Sequence, residues 1–190
     1  MKAAEIVRKT KETDIFARLD EGGNQSVSTG IGFFDHMLCS LAFYAGFGLE
    51  LTCRGDLHVD AHHTVEDCGI VLGQALSAAL GDKKGIERFA SKFIPMDEAL
   101  AFCALDISGR PYLRFDASMP QEMIGDYPSC LTEEFFRAFA SAAGITLHIK
   151  SEYGSNAHHI TEAVFKSVGA ALKDAVKVKG DRIMSTKGMI

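Results

Sequence analysis

A recurring hexapeptide constrains this chain more than any other feature. Ala61-His62-His63-Thr64-Val65-Glu66 is matched by Ala157-His158-His159-Ile160-Thr161-Glu162, 96 positions later. Four of the seven histidines fall in these two segments, which composition does not explain. The recurrence implies a duplicated fold whose halves each bring imidazoles and a carboxylate to metal sites.

The repeat extends beyond the motif. Phe34 to Gly46 reads as a helix closed by glycine, and the alternating Leu49-Glu50-Leu51-Thr52-Cys53 that follows reads as a strand. Thr132 to Gly144 and Ile145 to Lys150 repeat that order, and superposing Ala45-Gly46 on Ala143-Gly144 gives an offset of 98. This alignment sets Glu134, not His148, opposite His36. Downstream, 62–80 and 158–176 show helical recurrence of Val, Leu, Ile and Ala. Residues 101–107 and 112–115 read as strands around a Ser108-Gly109-Arg110 turn, and Phe135, Phe136 and Phe139 fill the apolar face of a helix. The predicted fold is α+β, an internal duplication of two similar half-domains, each a mixed sheet covered by helices. The first half spans 1–90 with His36 and one hexapeptide; the second spans 91–190 with Glu134 and the other. Whether helix layer meets helix layer or sheet meets sheet stays open.

The chain has 190 residues, 47% of them hydrophobic, enough for a substantial core. A formal charge of -5 provides no basic field for nucleic acid. No apolar run reaches the roughly 18 residues of a membrane span, and the first residues lack a signal peptide's apolar stretch. Five cysteines, odd in number and without C-x-x-C spacing, read as buried small residues in a reducing compartment. The expectation is a cytoplasmic protein.

On a helix, residues three or four apart share a face, so His62 or His63 can act with Glu66, and His158 or His159 with Glu162. Adjacent histidines point about 100° apart, so each motif can feed two sites. His36, His62, His63, Glu66, Glu134, His158, His159 and Glu162 make two sets of four ligands. Imidazole and carboxylate without thiolate suit manganese, iron or zinc, with carboxylates favouring Mn²⁺. Asp60, Asp67 and Asn156 are candidates to orient imidazole N–H groups. His58 and His148 fall in expected strands without a histidine counterpart and read as structural. No H-E-x-x-H occurs, which removes a zincin reading. A structural metal that staples subunits is the competing explanation. Arg88, Arg110 and Lys187 are available cations for an anionic substrate. Ser185-Thr186-Lys187-Gly188 is either a phosphate clamp or a frayed tail.

The chain closely resembles the imidazoleglycerol-phosphate dehydratase family. Gly30 to Leu38, Asp60 to Asp67 and Asn156 to Ala163 look like its three signatures, and Ser108 to Tyr112 and Ser185 to Gly188 also fit. The resemblance implies two Mn²⁺ per active site, an imidazole phosphate as small-molecule substrate, and a homo-oligomer of 24 subunits with sites at subunit contacts. It implies one ion on His62, Glu134, His158 and Glu162, and the other on His36, His63, Glu66 and His159. Where this chain has Glu134, many members have His. Glu12, Arg88, Arg110, Ser185 and Lys187 are the implied substrate contacts, with Glu12 or Asp106 as the catalytic group handling a proton. The implied reaction is a dehydration in histidine biosynthesis in which the substrate's own ring supplies electrons and the metals serve as Lewis acids and templates.

Overall fold

Residues 1–118 and 123–188 are described in a computed structural model. The first half runs β1 (Ala4–Lys9), β2 (Thr13–Glu21), β3 (Gln25–Ser28), α1 (Gly32–Ala45), β4 (Phe47–Gly55) and α2 (His62–Leu80). The second runs β5 (Phe89–Met96), β6 (Ala99–Asp106), β7 (Tyr112–Asp116), a small β8 (Met123–Ile124) and β9 (Tyr127–Pro128) hairpin, α3 (Leu131–Ala143), β10 (Thr146–Tyr153) and α4 (Ala157–Ala175). The four-stranded sheets have orders β1-β2-β4-β3 and β5-β6-β10-β7. In each, three strands are antiparallel and the fourth lies parallel to its neighbour. Two copies of one topology in a mixed α+β chain are what the repeat predicts. The expected division after residue 90 falls inside β5, and the chain after α4 returns to the junction, with Lys179 N–H donating to the Gly85 carbonyl at 2.8 Å.

Alternation explains the strands. In β2, Thr13, Ile15, Ala17 and Leu19 point inward, and in β6 Ala99, Ala101, Cys103 and Leu105 do so. Each sheet is covered by helices of its own half, and the helices then meet across the halves, α1 on α4 and α2 on α3. The choice left open by the sequence is therefore helix layer to helix layer. The physical reason lies in glycine. A Cβ at Gly73 of α2 would sit 2.6 Å from the Phe139 carbonyl oxygen of α3, and one at Gly169 of α4 would sit 2.5 Å from that of Leu41 in α1. These contacts repeat with the same offsets, 96 and 98, as the sequence alignment. Gly46 and Gly144, with φ of 75° and 66°, end α1 and α3 in the left-handed conformation that glycine adopts freely.

Several details depart from expectation. His58 lies exposed in a turn before α2, not in a strand, because β4 ends at Gly55. His148 does lie in a strand, β10, but on its exposed face beside Tyr112. Cys130 is exposed and Cys39 half-buried, while Cys53, Cys68 and Cys103 are buried; all five are free thiols. Tyr127, in the β8–β9 hairpin, is fully buried, stacks on Phe34 with centroids 5.7 Å apart and bonds the Thr132 hydroxyl at 3.0 Å. Among the described residues, no helix is long and apolar enough to cross a membrane.

Asp174 anchors the end of α4. Lys177 at 2.6 Å and Lys92 of β5 at 2.5 Å hold its carboxyl near pKa about 2, below the usual 3.8. A depressed carboxylate pKa gives stability that is present above about 4 and lost as pH falls toward about 2. D174N should therefore lower the melting temperature at neutral pH and flatten its decline over that acid window. An unchanged acid limb would show that these ion pairs do not contribute.

Candidate metal centre

The packing of α1 on α4 creates the most convergent group of ligands. Asn156 caps α4, its side-chain oxygen accepting from the backbone N–H of His158 at 2.9 Å and of His159 at 3.4 Å. With the helix started there, His158 and Glu162, one turn apart, share a face, and α1 brings His36 against it. His158 Nε2 lies 3.1 Å from Glu162 Oε2, and His36 Nε2 lies 3.7 Å from the same oxygen. One donor atom from each residue falls within 4.8 Å of the others. Glu162 is 8% exposed at its side chain, and its other oxygen meets Lys166 Nζ at 2.7 Å. Burial raises the Glu162 pKa, but Lys166 and the neighbouring histidines outweigh it and hold the group below the ordinary carboxylate range. A buried, ionised carboxylate beside two imidazoles can take a divalent cation.

On the α2–α3 face the same positions are more open. Asp60 accepts the backbone N–H of His62 at 2.7 Å, fixing the start of α2, and His62 Nε2 lies 3.6 Å from Glu66 Oε2. Glu134 and Glu66 line one concavity with Arg137, whose Nε is 3.7 Å from Glu134 Oε2. Glu134 thus faces Glu66 across α2 and α3 as His36 faces Glu162 across α1 and α4. Within one chain the helix pairs bring His36 beside His158 and Glu162, residues that the resemblance assigns to different ions.

The second histidine of each motif turns elsewhere. His63 Nδ1 lies 3.0 Å from Asp56 Oδ2, and His159 Nδ1 lies 2.6 Å from Glu98 Oε2. Each acidic partner raises the pKa of its imidazole by hydrogen bonding to the charged form. Asp56 and Glu98 were not legible from spacing, since Glu98 is 61 residues from His159 and only the β5–β6 hairpin brings it there. The expected orienting residues act differently. Asp60 and Asn156 cap backbone amides, while Asp67 accepts the Thr13 hydroxyl and pairs with Arg8 at 3.0 Å.

A cationic cluster forms at the end of β6. Arg88, in the left-handed conformation with φ of 75°, donates to both oxygens of Asp106 at 2.7 and 3.1 Å and to the Met184 carbonyl. Arg110 lies 3.9 Å from Asp106, and Ser185 follows Met184, with its hydroxyl accepting the Lys187 N–H at 3.2 Å. The structure thus brings Arg88, Asp106, Arg110 and Ser185 into one neighbourhood, while the Lys187 side chain is exposed. Glu12 occupies the β1–β2 turn, half exposed, with Oε1 3.7 Å from His63 Nε2.

A family profile for imidazoleglycerol-phosphate dehydratase matches residues 29–172. The chain is 58% identical to the imidazoleglycerol-phosphate dehydratase of Acetivibrio thermocellus, over 98% of this chain and 97% of that one. It is 55% identical to the Carboxydothermus hydrogenoformans protein of the same description over the full length of both. The chain belongs to the imidazoleglycerol-phosphate dehydratase family. Its architecture is shared by the crystal structure of the Pyrococcus furiosus family member, with TM-score 0.87 and 40% identity over 97% of this chain and all of that one. The Staphylococcus aureus crystal structure gives 0.84 at 38% identity, over 93% of this chain and 99% of that one. As a family member it is a dehydratase, a hydro-lyase of histidine biosynthesis acting on a small molecule. Imidazoleglycerol-phosphate dehydratase similarity over 29–172 takes in both hexapeptides, Arg88, Asp106, Arg110 and Glu134. Glu12, Ser185 and Lys187 lie outside that range but within the full-length match to the Carboxydothermus relative.

Proposed function

We propose that the chain converts D-erythro-1-(imidazol-4-yl)glycerol 3-phosphate to 3-(imidazol-4-yl)-2-oxopropyl phosphate and water, with two Mn²⁺ per active site, in a cytoplasmic assembly of 24 subunits. The convergence of His36, His158 and Glu162 carries this reading. The three offer two nitrogens and an anionic oxygen without sulfur, a donor set that fits Mn²⁺. His62, Glu66 and Glu134 would contribute to a second ion, and His63 and His159 to the pair. In one chain His36, His158 and Glu162 converge while Glu66 and Glu134 line the α2–α3 face, and sites at subunit contacts would bring the two groups together. Bound there, divalent ions would supply Lewis acidity toward the substrate's imidazole and fix its orientation.

The protein's own groups divide the remaining work. The proton to be removed sits on a carbon with no adjacent carbonyl, so the departing hydroxyl depends on electrons from the substrate ring. Arg88, Arg110 and Lys187 favour the phosphate end, with Ser185 as a hydroxyl donor. Asp106 is held by two arginines and serves to position them. Glu12 is half exposed, with its carboxylate 3.7 Å from His63 Nε2, a position from which it can carry a proton.

Turnover of the imidazole diol phosphate with Mn²⁺, against a chelated control, tests the proposal. The metal-loaded protein should turn over and the chelated one should not; absence of turnover with bound Mn²⁺ overturns it. E12Q with full metal content should lose roughly 10²–10⁴-fold in kcat, the usual contribution of a general acid or base. Near-normal kcat would remove Glu12 from that role.

A further inference from the structure

The two halves share topology, so the β1–β2 turn of one corresponds to the β5–β6 turn of the other. Each turn ends in a glutamate directly before its second strand, Glu12 before Thr13 and Glu98 before Ala99. Both glutamates reach the second histidine of a hexapeptide, but at different nitrogens. Glu12 Oε1 is 3.7 Å from His63 Nε2, beyond hydrogen-bond range, whereas Glu98 Oε2 is 2.6 Å from His159 Nδ1. In the first half the Nδ1 position is taken instead by Asp56, at 3.0 and 3.2 Å from His63.

We propose that Glu98 is a positioning residue that locks His159 in its Nδ1–H tautomer and so presents Nε2 as a metal ligand, a role that Asp56 fills for His63. The proposal rests on the metal reading above for what Nε2 binds, but not for which nitrogen holds the proton. An ionised carboxylate only accepts hydrogen bonds, so the nitrogen facing it must carry the proton. Asp97 approaches His159 Nε2, but its oxygen stays 3.5 Å away against 2.6 Å for Glu98 at Nδ1, so Glu98 governs the tautomer. Glu98 is itself fixed. Its Oε1 accepts the backbone N–H of Ser155 at 3.1 Å and of Asn156 at 2.8 Å, and lies 3.3 Å from the Ser155 hydroxyl. Because Asn156 in turn caps α4, one carboxylate braces the hairpin, the start of the helix and the ring. Such outer partners fix ring orientation and raise ligand basicity in metal sites generally.

This double duty makes the isosteric variant diagnostic. The backbone donors at 155 and 156 demand an oxygen, so E98Q must turn its amide –NH₂ toward His159 Nδ1. That nitrogen then accepts, the proton moves to Nε2, and the ligand lone pair is lost. Magic-angle-spinning NMR of the full-length, chelator-treated protein with ¹⁵N-labelled histidine reads this directly at alkaline pH, where the rings are neutral. The His159 signals are assigned by their absence in H159Q. Wild type should show an unprotonated Nε2, and E98Q a protonated one. Mn²⁺ affinity, followed by electron paramagnetic resonance, should fall by about 10–100-fold in E98Q and in D56A. A protonated Nε2 in the wild type, or an unchanged tautomer and affinity in E98Q, overturns the proposal. A wild type that fails to hold Mn²⁺ counts against the metal reading alone, because the tautomer is measured without metal.

Discussion

E162Q should bind Mn²⁺ at least about 100-fold more weakly than the wild type and lose turnover in proportion, since removal of a charged ligand exceeds the 10–100-fold that outer-shell changes cost. Glu162 Oε2 lies 3.1 Å from His158 Nε2 and 3.7 Å from His36 Nε2, so the variant removes the anionic donor of that cluster. The same change also uncovers Lys166, which is 15% exposed and 2.7 Å from Glu162 Oε1. Gln keeps a neutral acceptor for the ammonium, so the stability loss should stay near the ~1–3 kcal/mol of a weakened buried hydrogen bond, below the loss on removing a partner outright. Adding K166M separates the two effects. The E162Q/K166M pair should regain thermal stability without regaining metal. Metal binding by E162Q equal to wild type would remove Glu162 from the ligand set, whatever its melting temperature.

G73A should destabilise the protein by about 2 kcal/mol. Alanine gains roughly 1 kcal/mol over glycine in a helix, and overpacking costs about 1–3 kcal/mol or more. At Gly73 the added Cβ would meet the Phe139 carbonyl oxygen at 2.6 Å, Ala142 Cβ at 2.8 Å and Ala143 N at 2.9 Å. Two of these are backbone atoms that no rotamer change can move, so the steric cost wins and α2 must withdraw from α3. For a chain of this size the melting temperature should drop by about 4–8 °C. G32A is the control. Nothing lies within 4 Å of a Cβ there, and the substitution should leave the melting temperature within about 2 °C. Equal melting of wild type and G73A would mean that the close approach of α2 and α3 is not what sets the layer spacing.

The elements were legible because their signals are local. Helical recurrence over 62–80 and the glycine after Ala45 mark segments that the structure realises as α2 and α1, each within two residues of the expected ends. The equivalence of His36 with Glu134 was legible too, since an offset of 98 recurs in the contacts of Gly73 and Gly169. Which ligands meet was not. Helix pairing across the halves sets His36 beside Glu162, and one linear sequence contains no local signal for the choice between helix and sheet faces. Glu98 escaped notice for a related reason. Its role depends on a hairpin tip folding back onto a helix start, and in sequence it is one acidic residue among 25. Tyr127 was hidden by its neighbours, Gly125, Asp126 and Pro128, which mark a turn and mask an aromatic that the turn drives into the core.

The crossing of helices between halves has a consequence for how the two sites can differ. Neither half owns a cluster, because α1 of one half meets α4 of the other and α3 meets α2. A half-length polypeptide of this fold would close a cluster only against a second copy, and both clusters would then carry identical side chains. Joined in one chain, the two are independently heritable. Position 36 can hold an imidazole while position 134 holds a carboxylate, so the same scaffold presents two donor sets of unequal charge.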